Sequence, residues 1–126
     1  MASEGIAGAR ILIVEDEAMI AMLLEDMLEE MGCRVVATAG TLDEAMAAVG
    51  AEPALDLAIL DVNLGGAETY PVADLLRRRG IPYIFSTGYG VGTLHPDHQD
   101  RPTLSKPFVE SELLRCLDQA LGRTPL

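Results

Sequence analysis

The stretch that decides the fold is Leu55-Asp56-Leu57-Ala58-Ile59-Leu60, and Asp61 follows it directly. The run is short and almost entirely apolar, which is typical of a parallel strand buried on both faces. Such a strand needs helices packed above and below it, so strands and helices should alternate along the rest of the chain. The sequence on either side of this stretch shows that alternation.

On the N-terminal side, β-branched and apolar runs predict strands over residues 10–14 and 34–39. Between them, apolar residues recur at the spacing i, i+3, i+4, i+7, which predicts an amphipathic helix over 17–31 that ends at Gly32. The stripe of this helix consists of Ile20, Leu23, Leu24, Met27, Leu28 and Met31. Thr41-Leu42-Asp43-Glu44 has the pattern of a capping box and predicts the start of a second helix.

On the C-terminal side, a loop with two glycines precedes a helix that starts near Pro71. A fourth strand is predicted over 81–86 and a brief fifth strand over 103–105. The polar, glycine-rich stretch 88–100 between them predicts a loop with a short or irregular fourth helix. The last helix is predicted from the stripe Val109, Leu113, Cys116, Leu117 and Ala120.

Five strands that alternate with helices predict right-handed crossovers and a three-layer, doubly wound α/β domain. The sheet should be parallel and covered on both faces. We expect one domain over residues 10–122, with flexible tails at 1–9 and 123–126. Periodicity alone does not fix the order of the strands in the sheet.

The composition narrows the classes of partner and location. The chain has 126 residues, with 20 acidic against 9 basic side chains and a net charge of -11. This charge disfavours nucleic acid and anionic membrane surfaces as direct partners. No apolar run approaches the roughly 20 residues of a membrane span, and the start lacks the basic and apolar regions of a signal peptide. With Cys33 and Cys116 predicted to be buried and reduced, we expect a cytoplasmic protein.

Chemically active side chains follow four of the predicted strands. Glu15 and Asp16 follow strand one, and Asp61 follows strand three. Thr87 ends strand four, and Lys106, the only lysine in the chain, follows strand five. Because the carboxyl ends of parallel strands meet at one edge of the sheet, these groups should converge on one site.

Three converging carboxylates predict either a bound cation or the uptake of a proton by one of them. At an effective dielectric constant near 20, two carboxylates about 4 Å apart repel by roughly 4 kcal/mol. Oxygen ligands favour Mg²⁺ or Mn²⁺ over zinc. A carboxylate such as Asp61 can act as a nucleophile and form an acyl phosphate, with Lys106 and Thr87 placed to bind phosphoryl oxygens.

The residues around these strand ends resemble a known family. The stretches 11–17 (ILIVEDE), 57–64 (LAILDVNL), 85–88 (FSTG) and 104–108 (LSKPF) resemble, in order, the motifs of response-regulator receiver domains of two-component systems. The resemblance covers about residues 9–122. It implies a flavodoxin-like sheet with the strand order 2-1-3-4-5.

The resemblance also implies a phosphorelay function. Asp61 would receive a phosphoryl group from a sensor histidine kinase or a phosphotransfer protein. Glu15, Asp16, Asp61 and the backbone carbonyl of Asn63 would hold Mg²⁺ or Mn²⁺, with Glu15 acting directly or through water. The signal would pass to an unknown downstream protein by contact or by onward phosphotransfer.

In the same family, Thr87 would be the switch hydroxyl and Lys106 the phosphate-binding lysine, with a cis Lys106–Pro107 bond. One departure concerns the aromatic residue that receivers commonly carry three positions before this lysine, where the chain has Thr103. The usual aromatic switch is therefore absent or relocated.

A second departure from the common receiver pattern lies in residues 82–89 (PYIFSTGY). This stretch resembles the corresponding stretch of the "FAT GUY" receivers, with small deviations at Tyr83 and Ser86. Those receivers are mostly stand-alone regulators of stress-response phosphorelays. Tyr89 or a movement of its glycine-rich loop is our hypothesis for a replacement switch. The candidates for the switch or output surface are Tyr89, Thr103 and Phe85.

Three other functions remain as alternatives. The first is an enzyme that uses Asp61 as a nucleophile on small phosphate esters. Such enzymes often have a second acidic residue two positions later, and this alternative is disfavoured because the chain has Asn63 there. A pseudo-receiver that only binds partners is disfavoured by the complete set of site residues. A nucleotide-binding module is disfavoured because no glycine-rich nucleotide motif occurs. We therefore expect a receiver that promotes its own phosphorylation and dephosphorylation and does not turn over small substrates.

Several of these residues also have purely structural interpretations. Glu15 and Asp16 could cap the first helix. His95 and His98 are predicted to lie in an exposed loop, and the arginines at 77–79 to mark a helix C-terminus. Five methionines are predicted to lie mainly in the core: Met19, Met22, Met27, Met31 and Met46. Any of them that are exposed on the first helix could dock a kinase.

Overall fold

The computed structural model describes residues 6–52, 54–88 and 94–122. The strands are β1 (Arg10–Val14), β2 (Arg34–Ala39), β3 (Leu57–Asp61), β4 (Asn63–Leu64), β5 (Ala67–Glu68), β6 (Tyr83–Thr87) and β7 (Thr103–Ser105). The helices are α1 (Ala18–Glu30), α2 (Leu42–Ala51), α3 (Tyr70–Arg78) and α4 (Glu110–Ala120). Strands and helices alternate as the apolar pattern predicts.

The main sheet has five strands in the order β2-β1-β3-β6-β7, and every neighbouring pair is parallel. This order corresponds to 2-1-3-4-5 when only the strands of the main sheet are counted. The predicted doubly wound, flavodoxin-like fold is therefore confirmed. The order places β1 and β3 side by side at the centre, so their carboxyl ends share one edge with those of β6 and β7.

The core lies on both faces of the sheet, because alternate strand residues point to opposite sides. Ile11 and Ile13 pack with the apolar faces of α1 and α4. Leu12 and Val14 pack with those of α2 and α3. No helix among the described residues has the length and apolar character needed to cross a bilayer.

Local signals set most element boundaries correctly. The predicted start of α2 is correct: the Thr41 hydroxyl accepts from Glu44 N at 3.1 Å as in a capping box, while Glu44 Oε1 reaches one residue farther back and accepts from Gly40 N at 2.9 Å. Gly32 has a φ of 90° just after α1, as a helix-ending glycine should. Strands β3 and β6 begin two residues later than predicted. Asp56 is used instead to accept a hydrogen bond from Arg10 N at 2.8 Å.

Two predictions about the N-terminal region are wrong. Residues 6–9 are not part of a loose tail, because Ile6 is fully buried and Gly8 N donates to Gly32 O at 2.7 Å. In α1, Met19, Met22 and Leu23 do not join the core: Met19 is 84% exposed, and the other two are also largely exposed. The buried face of this helix is instead formed by Ala21, Leu24 and Leu28.

The loop after β3 contains a small hairpin that the sequence pattern did not predict. Asn63 pairs with Glu68 and Leu64 with Ala67. Gly65 and Gly66, both with positive φ, form the two-residue turn between them. Farther along, the described residues 94–100 contain a 3₁₀ turn at Pro96–His98 and no α-helix, which agrees with the predicted irregular fourth helix.

Candidate functional site

An open pocket of about 580 Å³ lies at the carboxyl ends of the central strands. The loop after β1 contributes Asp16, the end of β3 contributes Asp61, and the end of β6 contributes Thr87. Lys106 follows β7, and Asn63 lies in the hairpin. The structure thus brings together side chains that are far apart in the sequence, as the parallel topology predicts.

Three carboxylates meet beside this pocket. Oxygen atoms of Glu15, Asp16 and Asp61 all lie within 4.8 Å of one another, and we call these residues the acidic cluster. Lys106 Nζ donates to Glu15 Oε1 at 3.0 Å and to Asp61 Oδ2 at 3.3 Å. The side chain of Glu15 is only 2% exposed and that of Asp61 13%, so the ion pairs are poorly screened by solvent.

Burial and the surrounding charges together shift the pKa values of Glu15 and Lys106 in this site. Burial raises the pKa of Glu15 above its ordinary value; the Asp61 charge adds to this, whereas hydrogen bonds from Lys106 and Glu17 oppose it. Burial alone would lower the pKa of Lys106, but the hydrogen bond to Glu15 and the charges of Asp61 and Glu15 raise it. Lys106 is therefore a stable ammonium ion that faces more carboxylate charge than it can balance.

The acidic side chains after β1 are oriented by neighbouring backbone. Asp16 Oδ2 accepts from Gly65 N at 3.2 Å, so this carboxylate contacts the hairpin turn. Glu15 Oε2 accepts from Glu17 N at 3.2 Å, and Glu17 is the N-cap of α1 without a side-chain cap bond. The alternative in which Asp16 serves as the helix cap is therefore wrong.

The acidic cluster has the donor chemistry of a hard divalent cation. Its three residues offer only carboxylate oxygens, and in the part of the chain that the structure describes no histidine or cysteine joins them. Mg²⁺ and Mn²⁺ prefer such ligands. Asn63 lines the same pocket, while its side-chain Oδ1 accepts from Gly66 N at 2.8 Å within the turn. The residues present therefore fit the predicted cation.

The remaining predicted residues lie at different distances from the pocket. Thr87 is buried at its wall, and the carbonyl of Thr87 accepts from Lys106 N at 3.0 Å. Phe85 is fully buried and so is not part of a surface, and it pairs across the sheet with Thr103, which is half-buried. Tyr89 lies outside the described residues.

The prediction that both histidines are exposed is wrong for His98, which is 2% exposed. Its ring stacks on Tyr70 with a centroid distance of 5.2 Å. Its Nδ1 lies 2.9 Å from the Tyr83 hydroxyl and 3.3 Å from Arg77 Nη2, and its Nε2 lies 3.3 Å from Asp74 Oδ1. We call these five residues the histidine cluster. The side chain of His95 is half exposed, as predicted.

Thr69 is a second residue that the sequence interpretation missed. It is fully buried, and its hydroxyl donates to the backbone carbonyl of Asp61 at 2.7 Å. Its position two residues before Pro71 signals a helix start. That signal says nothing about a contact with the end of β3, so a local pattern could not have found this bond.

Comparison with known proteins agrees with the fold. Residues 11–118 match the family model of the response regulator receiver domain. The phyllosphere-induced regulator PhyR of Methylorubrum extorquens is 36% identical over 114 residues, which cover 88% of this chain and 43% of that protein. This chain spans about half the length of the curated relatives it matches.

Two solved structures are similar over nearly their whole length. SdrG from Sphingomonas melonis Fr1 is 42% identical with a TM-score of 0.80, and the match covers 94% of this chain and 98% of that chain. The BeF₃-activated conformation of SdrG from Pseudomonas melonis Fr1 is 44% identical with a TM-score of 0.79, covering 91% and 98%. Because the family model spans residues 11–118 and the fold agrees with SdrG, the chain belongs to the response regulator receiver domain family of two-component systems.

Proposed function

We propose that Asp61 receives a phosphoryl group from a phosphohistidine on a sensor kinase or a phosphotransfer protein. The observation that carries this proposal is the carboxylate of Asp61 in an open pocket, with the Lys106 ammonium 3.3 Å from its Oδ2. Receiver domains are regulators and not enzymes that turn over small substrates, so we expect one stoichiometric transfer per signalling event.

In the transfer, an oxygen of Asp61 forms a bond to phosphorus while the phosphorus–nitrogen bond of the donor breaks. The leaving imidazole keeps the electron pair and takes up a proton. Lys106 would release part of its contact with Asp61 and bind a phosphoryl oxygen. The Thr87 hydroxyl would bind another, which places this end of β6 under the control of phosphorylation.

A divalent cation completes the proposal. Glu15, Asp16 and Asp61 would hold Mg²⁺ or Mn²⁺, together with the backbone carbonyl of Asn63. When bound, the cation neutralises carboxylate charge and charge on the transferring oxygens. The carboxylate excess over one ammonium supports this assignment, because each unbalanced pair about 4 Å apart costs roughly 4 kcal/mol at an effective dielectric constant near 20.

The exposed apolar residues of α1 support docking of the phosphodonor next to the pocket. Met19 and Met22 lie on the helix that begins directly after the pocket residues Asp16 and Glu17. Exposed apolar side chains grouped on one helix are typical of protein contacts. We propose a cytoplasmic protein that passes its signal by contact with a downstream protein or by onward phosphotransfer.

Acetyl phosphate with Mg²⁺, followed by intact-mass measurement, tests the central step. The wild type should gain the mass of one phosphoryl group, and Asp61→Asn should gain none. The matched control is Asp43→Asn, which changes an exposed aspartate on α2 and should behave as the wild type. A gain that persists in Asp61→Asn, or no gain in the wild type, would overturn the proposal.

A further inference from the structure

Thr69 departs from the usual behaviour of a threonine at a helix start. It is the N-cap of α3, where a threonine hydroxyl normally accepts a hydrogen bond from the first turn of the helix. Here the hydroxyl makes no such cap bond and donates to the Asp61 carbonyl at 2.7 Å. The fully buried side chain is therefore used to hold the end of β3 and not to hold α3.

The bonds from Thr69 act where the chain leaves the sheet at the end of β3. After Asp61, the next contact with the neighbouring strand is Val62 N to Ser86 O, which is 3.4 Å long. Thr69 supplies two shorter bonds, from its hydroxyl to Asp61 O at 2.7 Å and from its backbone N to Val62 O at 3.0 Å. Because hydrogen bonds weaken as they lengthen, the bond from Thr69 N holds the backbone at Val62 more firmly than the bond to Ser86 does.

These bonds close residues 61–69 into a frame along the pocket wall. At the far end of the frame, Gly65 N donates to Asp16 Oδ2 at 3.2 Å. Asn63 Oδ1 accepts from Gly66 N at 2.8 Å and holds the turn. The frame therefore joins the two ends of the acidic cluster, since Thr69 holds the Asp61 end and the hairpin turn holds Asp16.

We propose that Thr69 is a positioning residue that sets the spacing between Asp61 and the other two cation-binding carboxylates, Glu15 and Asp16. The inference rests on the proposed function, because it identifies a residue that orients the carboxylates of that same site. Residues that orient ligands from one contact away typically change metal affinity 10–100-fold when they are replaced. Because Thr69 acts through a backbone carbonyl, we expect a loss of roughly tenfold, at the lower end of this range.

The test compares Thr69→Val, which keeps the shape but removes the hydroxyl, with Thr69→Ser, which keeps the hydroxyl. The probe is Mn²⁺ alone, with its dissociation constant measured by water proton relaxation. Thr69→Val should bind Mn²⁺ roughly tenfold more weakly, and Thr69→Ser should remain close to the wild type. If Thr69→Val does not fold, Thr69→Cys and Thr69→Ser make the same comparison, since a thiol is a weak donor of similar size.

Val72→Ala separates positioning from simple loss of stability. Val72 is fully buried in the first turn of α3, so this variant lowers stability without removing a side-chain bond to the frame. It should keep the Mn²⁺ affinity of the wild type. Equal affinities of Thr69→Val and wild type, or a loss in Val72→Ala as large as in Thr69→Val, would overturn the positioning role.

The proposed function fails by a different result. A wild type that neither binds Mn²⁺ nor gains a phosphoryl group would remove the site itself. A wild type that does both, next to a Thr69→Val variant with unchanged Mn²⁺ affinity, would remove only the role of Thr69.

Discussion

The acidic cluster and the histidine cluster both bury ionisable groups, yet only the histidine cluster is complete in itself. In the acidic cluster, three carboxylates face the single ammonium of Lys106. In the histidine cluster, each ring nitrogen of His98 has a partner. Arg77 can only donate, so Nδ1 accepts, and Nε2 carries the proton that faces Asp74.

The charge balance of each cluster determines whether it needs a ligand. A buried polar network with all partners present stabilises the fold and gains nothing from an added ion. A buried excess of like charge costs stability until something compensates it. We therefore expect the acidic cluster to respond to divalent cations and the histidine cluster to be indifferent to them.

Replacing His98 with alanine should have the largest effect on stability. The change leaves a cavity beside Tyr70 and removes the acceptor of the Tyr83 hydroxyl, so we expect a loss of about 3 kcal/mol in the free energy of unfolding. Saturating Mg²⁺ should not restore this loss. Urea denaturation with and without Mg²⁺ measures both quantities.

His95→Ala is the matched control, because His95 belongs to the same segment but its side chain is half exposed. This variant should change the free energy of unfolding by less than about 0.5 kcal/mol. Similar losses in His95→Ala and His98→Ala would show that the segment, and not the buried ring, determines stability.

Lys106→Met should have an intermediate effect that depends on cations. Removing one partner of a buried ion pair costs about 3–5 kcal/mol, and because Lys106 is 22% exposed we expect about 2 kcal/mol without divalent cations. Mg²⁺ should stabilise this variant more than the wild type, since the cation no longer competes with the ammonium. The same urea titrations, run across Mg²⁺ concentrations, measure the difference.

A double variant tests whether the loss comes from the carboxylates. Adding Glu15→Gln to Lys106→Met removes the buried charge that Lys106 balances, so the double variant should be more stable than Lys106→Met alone. If the cost of Lys106→Met is the same with or without Mg²⁺, Lys106 does not balance the acidic cluster in the way we describe.

The sequence predicted the acidic cluster because its geometry follows from topology alone. Once β1 and β3 are parallel neighbours, residues such as Asp16 and Asp61 at their carboxyl ends must lie near one another. No side-chain detail is needed for this conclusion. The start of α2 was also predictable, because its cap is a contact between residues only a few positions apart in the sequence.

The sequence did not predict the histidine cluster because partners from α3 and β6 decide the burial of His98. The stretch 95–98 has the polar composition of an exposed loop, and only its last residue, His98, is buried, through contacts with Tyr70, Asp74 and Tyr83. Thr69 was missed for the same reason. A local capping rule predicts that its hydroxyl oxygen accepts from the first turn of α3, whereas in the structure the hydroxyl makes no cap bond and donates to the carbonyl of Asp61.

The two clusters should also respond to pH with opposite signs. Burial lowers the pKa of His98, Arg77 lowers it further, and Asp74 opposes both. The unfolded chain therefore takes up a proton that the folded protein resists, so stability is lost as pH falls below about 6.5. Glu15 has a raised pKa, so its contribution is present at low pH and is lost as pH rises through the folded value.

The smallest predicted effect is this pH dependence, at most about 1.4 kcal/mol for each pH unit below about 6.5. The free energy of unfolding of the wild type and of His98→Gln, which cannot titrate, is measured by urea denaturation from neutral to mildly acidic pH. The advantage of the wild type should shrink as the pH falls, because only the wild type exchanges a proton at this position. A constant difference across that range would mean that His98 binds its proton equally well in the folded and unfolded states, and that the histidine cluster does not depend on a neutral ring.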